Sequence, residues 1–420
     1  MQQIVKKFAD GYRQLQIPLF AYDFHEYFRK IPSADSLEKQ HLFFLTFRQQ
    51  LQGVDRNKLN LKDRILFDHL SYEIDFNLKR VVLESYWKEN GSKLPQYSLY
   101  ELPRHEEWYH LFIQRYTGLY LLPAQIADLG NKEVTRVNGE LLKIQERSGL
   151  SPDAFKTFLN DSAFLISDEN ELQYLFERTD STVRSHLKKF VGTIAIPPVY
   201  PIEWPGATAA TPPGMYINKS ENSLGKSVFQ YNFSNRNFNR RAVEWLYLHE
   251  AIPGHHLQFT YRSKKKPDEL QQLFLYPGNF EGWGCYVEYY GSALGLYRDA
   301  NSYYGKWEWD LVRSARLQLD EGIHNKGWTK AQAQEFWEST LPNQNNICAR
   351  EINRVTNWAA QAITYKAGAD FIAKLRSKME ARYGKTFDLV RFHRTYLSFG
   401  MRPLWVIEKN FEEAYEASTF

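Results

Sequence analysis

The sequence predicts a mostly α-helical protein with a small β insert, and three observations carry that reading. Apolar residues recur at helical spacing through the first 190 residues and again from about Asn239 to the end of the chain. Six of the 17 prolines crowd between Pro197 and Pro213, which excludes helix there. Gly214–Asn218 and Ser227–Phe233 then alternate as strands do. The expected organisation is an N-terminal helical region, residues 1–193, forming a lid or cleft wall, and a region 194–420 that carries the chemistry, the two packed as one intimate unit.

In chain order, Asp35 with Glu38 reads as a capping box opening a helix through Leu42, Leu45 and Phe47. Leu66, Leu70, Ile74 and Leu78 mark one face of the next. Ser151–Pro152 is a cap followed by proline at the first helical position. Residues 218–226 form the turn of a β hairpin, which could hold an extended peptide at its edge or act as a structural flap. Helices follow from Asn239, from Phe280 to Leu294 and from Trp307 to His324, the last ended by Gly327. Thr329 caps another, residues 345–383 are largely helical, and the final helices span about 387–398 and 403–416.

Composition narrows the functional classes. A net charge of +4 with both signs interspersed gives no field suited to nucleic acid. The longest apolar patch, Gly118 to Leu129, is too short to span a bilayer. Cys285 and Cys348 are the only cysteines, so a disulfide framework is not expected, and with no signal-like N-terminus the expectation is a cytoplasmic protein.

The chemistry concentrates in Tyr247-Leu-His-Glu-Ala-Ile-Pro-Gly-His-His-Leu-Gln258. In an H-E-x-x-H helix, two histidines four apart reach one zinc ion and the glutamate after the first serves as base. Here the position four after His249 is Pro253. On an unbroken helix His256 would share the face of His249 but lie about 10 Å along the axis, and His255 would point roughly 120° away. Pro253 cannot bond the carbonyl of residue 249, and Gly254 admits backbone angles closed to other residues, so the helix is expected to open and return a later histidine to the metal. Downstream, Glu281 and Glu288 are seven apart on one helix face, with Cys285 between them as a small core residue.

His249-Glu-Ala-Ile-Pro-Gly-His-His-Leu-Gln258 resembles the H-E-A-x-P-G-H-H-x-Q motif of the bacterial domain-of-unknown-function 885 family, relatives of zincin metallopeptidases. Glu281-Gly-Trp-Gly-Cys-Tyr-Val-Glu288 is similar to its E-G-W-A-x-Y-x-E block, and Asp320-Glu-Gly-Ile-His324 to its D-x-G-x-H block. Arg354 with Gln361-Ala-Ile-Thr-Tyr-Lys-Ala-Gly368, and Phe392-His393 with Gly400 and Pro403-Leu404, match two more. The chain departs from the pattern at Gly284 and Cys285, at Ala359-Ala360 where Pro-Gly is common, and at Arg402.

The resemblance implies a helical, gluzincin-type peptidase fold with the small sheet beside the active-site helix, and one zinc per chain. In similar helical peptidases, such as the carboxypeptidase Taq-like and thimet-oligopeptidase-like enzymes, the zinc glutamate follows the second histidine by about 25 residues. Glu281 lies 26 after His255 and 25 after His256, so either register fits. The Gly-His step favours His255, so the implied ligands are His249, His255 and Glu281, with His256 as the alternative. Glu250 is the implied base, and Tyr365 and His324 the candidates to stabilise an oxyanion, with His393 behind them. Asp320 and His324, four apart, would orient each other. Arg354, Lys366, Arg402 and His393 are the candidates for binding substrate, a peptide or related amide. The competing expectations are a metal enzyme of another reaction class on the same scaffold, or a helical binding protein with a relic site.

Overall fold

The computed structural model describes residues 1–17, 23–91, 93–264 and 266–417. Nine helices precede strand β2 (Tyr200–Glu203) among these residues: α1 (Gln2–Gln14), α2 (Phe24–Arg29), α3 (Ala34–Gln52), α4 (Leu61–Glu89), α5 (His105–Thr117), α6 (Pro123–Ser148), α7 (Pro152–Leu159), α8 (Glu169–His186) and the single turn α9 (Lys188–Val191). Leu66, Leu70, Ile74 and Leu78 are all buried along α4, as their spacing predicts. Ser151 caps α7 by accepting from the Ala154 N–H. The cap of α3 is Ser33, not Asp35: Ser33 accepts from the Ser36 N–H and Asp35 sits in the first turn. There its charge faces the helix N-terminus, which explains why the same residues read as a cap from sequence.

The insert after α9 holds β2 (Tyr200–Glu203), β3 (Gly214–Ile217), β4 (Val228–Tyr231) and β5 (Phe238–Asn239), and β1 (Leu165–Ile166) lies earlier, between α7 and α8. β3 and β4 form the expected antiparallel hairpin, with Tyr216 opposite Phe229. The Pro-rich stretch contributes a strand the sequence does not suggest: β2 lies parallel to β4, giving the order β2-β4-β3, while β1 and β5 pair separately. Strand β3 is therefore an edge, and its Gly214 packs against Leu246 of the following helix.

That helix is α10 (Val243–Glu250), followed by α11 (His255–Lys264), α12 (Glu269–Leu273), α13 (Pro277–Glu288), α14 (Ala300–His324), α15 (Lys330–Thr340), α16 (Cys348–Asn357), α17 (Thr364–Tyr383), α18 (Leu389–Ser398) and α19 (Leu404–Ala417). Helices α13 and α17 cross at glycines: a Cβ on Gly282 would lie 2.5 Å from the Gly368 backbone. This contact of bare backbones brings the side chains flanking it, Glu281 and Tyr365, to one side of the molecule's core. One apolar cluster joins α8, the hairpin, α10, α13 and α17–α19. A second unites α1–α6 with Tyr276, Ala360, Ile363 and Val406, so the N-terminal helices share a core with the C-terminal region. No helix among the described residues is long and apolar enough to cross a membrane.

Candidate metal centre

The helix that begins at Val243 stops at Glu250, and a new one begins at His255. Between them Ala251 leaves helical geometry at φ −104°, ψ −106°. The His256 N–H reaches back five residues to the Ala251 carbonyl at 3.1 Å. Trp283 Nε1 donates to the Pro253 carbonyl at 2.8 Å and ties the break to α13. Gly254 is required here by space and not by its dihedral: its φ is outside the left-handed region, but a Cβ would sit 1.9 Å from the His249 carbonyl oxygen.

The break separates the paired histidines. His255 turns toward His249, with ring centres 4.7 Å apart at 82°. His256 turns the other way: Nε2 donates to the Pro197 carbonyl at 2.8 Å and Nδ1 accepts from the Tyr216 hydroxyl at 3.1 Å. Glu281, from α13, completes the group. Its Oε2 lies 3.3 Å from His249 Nε2 and 3.6 Å from His255 Nε2. All three side chains are largely withdrawn from solvent. Burial disfavours the charged form of Glu281, but the two imidazoles override it and hold the carboxyl well below the usual carboxylate range.

The far side of His249 is built as carefully. Its Nδ1 lies 2.8 Å from Glu288 Oε1, and Arg313 Nη1 donates to Glu288 Oε2 at 2.6 Å. This fixes the ring with Nε2 directed at Glu281. Gly284 leaves room for the ring, since a Cβ there would meet its Cε1 at 2.7 Å. Burial lowers the basicity of His249, yet Cys285, Glu281 and Glu288 together raise it well above the ordinary value. His249, Cys285 and Glu288 also cluster closely enough to ligate, but Arg313 already supplies the cation on Glu288. By contrast His255 Nδ1 is buried with no partner among the described residues.

Glu250 Oε2 accepts from the Tyr216 N–H at 2.8 Å, so the free edge of β3 holds this carboxylate. The Tyr365 ring stacks on His249 at 6.2 Å, and its hydroxyl accepts from Arg354 Nη2 at 2.9 Å. Burial raises its pKa, a shift moderated by Arg354 and reinforced by Glu281.

Five other candidates are engaged elsewhere. The expected Asp320–His324 pair does not form. Asp320 accepts from Tyr109 at 2.7 Å and from the Ala360 N–H at 3.1 Å, while His324 links the Leu99 N–H to the Val355 carbonyl. Four residues apart on a helix brings two side chains to one face, but these find stronger partners on neighbouring elements. Ala360 has φ +62°, the left-handed region, where the family pattern commonly has glycine; Asp320 holds it there. Lys366 spends its three donors on Tyr289, Asp310 and Glu133. Arg402 pairs with Asp268 and His69, and His393 links Tyr286 to the Phe190 carbonyl. Each of these side chains is thus held by partners within the protein.

Glu288, Arg313 and Tyr216 enter the site without being singled out for it by sequence. The seven-residue step from Glu281 is the signal for Glu288; Arg313 and Tyr216 leave none, because their partners are remote in the chain.

The fold of this protein is that of a candidate lipoprotein from Colwellia psychrerythraea, with a TM-score of 0.71 and 23% identity over 94% of this chain and 69% of that one. A candidate lipoprotein of unknown function from Shewanella oneidensis is also similar, with a TM-score of 0.64 and 20% identity over 96% of this chain and 84% of that one. Among curated proteins none matches the sequence. The chain belongs to the family described as bacterial protein of unknown function (DUF885), whose profile matches residues 83–411.

Proposed function

We propose that the protein is a zinc-dependent hydrolase with a zincin-like, gluzincin-type site that cleaves peptide bonds. The observation that supports this best is the convergence of His249 Nε2 and His255 Nε2 on one oxygen of Glu281 at 3.3 and 3.6 Å. Ligands about 2.0–2.1 Å from a tetrahedral zinc ion are about 3.3 Å from one another, longer than an ordinary hydrogen bond. The donor set of two imidazoles and one carboxylate fits zinc, and Glu288 gives His249 the outer carboxylate such ligands usually have.

When bound, zinc supplies Lewis acidity, acidifying water and polarising a carbonyl at neutral pH. Glu250, steadied by the Tyr216 N–H, takes a proton from the attacking water and passes it to the leaving amine. The Tyr365 hydroxyl accepts from Arg354, which leaves its own proton free to stabilise the developing oxyanion. His324 and His393, both fully buried with both ring nitrogens bonded, act in packing instead.

The test is a peptide-library digest with metal analysis. Wild-type protein should carry about one zinc per chain and show chelator-sensitive cleavage. Glu250→Gln should keep the zinc and lose the cleavage. Zinc-free protein would reject the reading, and zinc without cleavage would favour a metal enzyme of another reaction class.

A further inference from the structure

Beside Tyr365 lies a group of guanidinium ions with too few anions to match them. Arg316 on α14 is 3% exposed and donates through Nε to Glu351 Oε2 at 2.8 Å. Neither of its Nη atoms has a hydrogen-bond partner among the described residues. Arg354 on α16 gives Nε and Nη2 to Gln361 and Tyr365, leaving Nη1 without one. Both guanidinium carbons sit over the Tyr365 ring, at 5.3 and 5.2 Å from its centre. Arg350 occupies the other oxygen of Glu351 at 3.0 Å. Three arginines thus surround the Glu351 carboxylate, and the other anion acting on Arg354, Glu281, belongs to the group with His249 and His255. Burial disfavours the charge of Glu351, yet Arg316, Arg354 and Arg350 hold it down at about 2, so it is ionised and fully engaged.

Burying cations in excess of anions is unfavourable, so such a group is well suited to an anion that arrives with a ligand. A planar carboxylate matches the fork of a guanidinium better than a sphere does. The other cations that could receive it, Lys366 and Arg402, are already paired. We infer that Arg316 and Arg354 bind a carboxylate of the substrate beside the metal centre.

The choice of scissile bond follows from the same geometry and rests on the hydrolase reading. Arg354 bonds the hydroxyl that faces the reacting carbonyl in that reading, and one extended residue spans about 3.3–3.6 Å. The carboxylate therefore lies within about one or two residues of the bond that is cut. It is either the chain terminus, giving release of an amino acid or dipeptide, or the side chain of an acidic residue.

Four tripeptides separate these sources: a free or amidated C-terminus, each with Glu or Gln as the last residue. Their affinities are measured by calorimetry on zinc-loaded Glu250→Gln protein, which keeps the peptides intact. A free terminus should bind roughly ten- to a hundredfold tighter than the amide if the terminus is recognised, and Glu should exceed Gln by a like factor if the side chain is. Arg316→Gln should bring that ratio close to one, with zinc content and thermal unfolding as folding controls. If that variant does not fold, Arg354→Gln carries the same expectation. Equal affinity for all four peptides overturns the inference. Carboxylate preference in zinc-free protein would leave it standing while the hydrolase reading fails; zinc without preference would sink the inference alone.

Discussion

Glu288→Gln tests the centre through a residue that touches no substrate. Glu288 is 1% exposed, and its two oxygens are divided between His249 Nδ1 at 2.8 Å and Arg313 Nη1 at 2.6 Å. Glutamine keeps the volume but has one acceptor oxygen, so either the imidazole or the guanidinium must face an amide N–H. Two losses follow. Outer carboxylates of this kind contribute 10- to 100-fold in metal affinity, roughly 1.4–2.8 kcal/mol. Leaving Arg313 buried without its partner costs about 3–5 kcal/mol of stability. Zinc affinity is read by competition with a chromogenic chelator, and stability by urea unfolding of the metal-free protein. Adding Arg313→Met removes the stranded cation and should recover most of the stability without recovering zinc affinity. Unchanged zinc binding in Glu288→Gln would refute the role of Glu288 in aiming His249. Full recovery of zinc binding in the double variant would show that the loss came through the fold.

His255→Ala should abolish stoichiometric zinc, whereas His256→Ala should retain it and instead loosen the hairpin; metal analysis of the two reads the difference directly. Gly254→Ala forces a Cβ into two backbone carbonyls and should destabilise the fold by at least about 3 kcal/mol, seen as a lowered melting temperature. His324 and His393 are held neutral by burial, with pKa values pushed down to about 4 and about 3. Their contribution is complete above about pH 6.5 and is lost as pH falls toward those values, on the order of 3 and 5 kcal/mol. Asp320, raised to about 7 by burial, runs the opposite way: its contribution is present below about pH 4 and lost as pH rises through 7. Urea midpoints at pH 4.5 and 7 should therefore converge in His393→Gln relative to wild type; an unchanged difference would rule out the buried neutral imidazole as a cause.

Local information in the chain was enough for much of this protein. Periodicity located the helices, because an amphipathic face is written in consecutive residues, and proline crowding placed the β insert between them. The expected hairpin formed in register. What is local about the site was legible too, in that Pro253 marked the helix break, while Glu281 was picked out through the family resemblance. Strand β2 escaped notice because its four residues include Pro201, in a stretch crowded with prolines, and its partner β4 is almost thirty residues away.

The motif from His249 to Gln258 determined by itself that the helix breaks and that two histidines follow the break. Helix geometry did not decide between them, and only the family resemblance favoured His255, since adjacent residues diverge by about 100° and the outcome depends on what each ring meets. Only the folded chain supplied those partners. The Pro197 carbonyl and Tyr216 hydroxyl take His256, and Glu281, carried in by the crossing of α13 and α17, faces His255. Tertiary structure likewise separated Arg354 from Lys366 and Arg402. Whether a buried cation is free to meet a ligand depends on which carboxylates the fold brings beside it, and those come from distant parts of the chain.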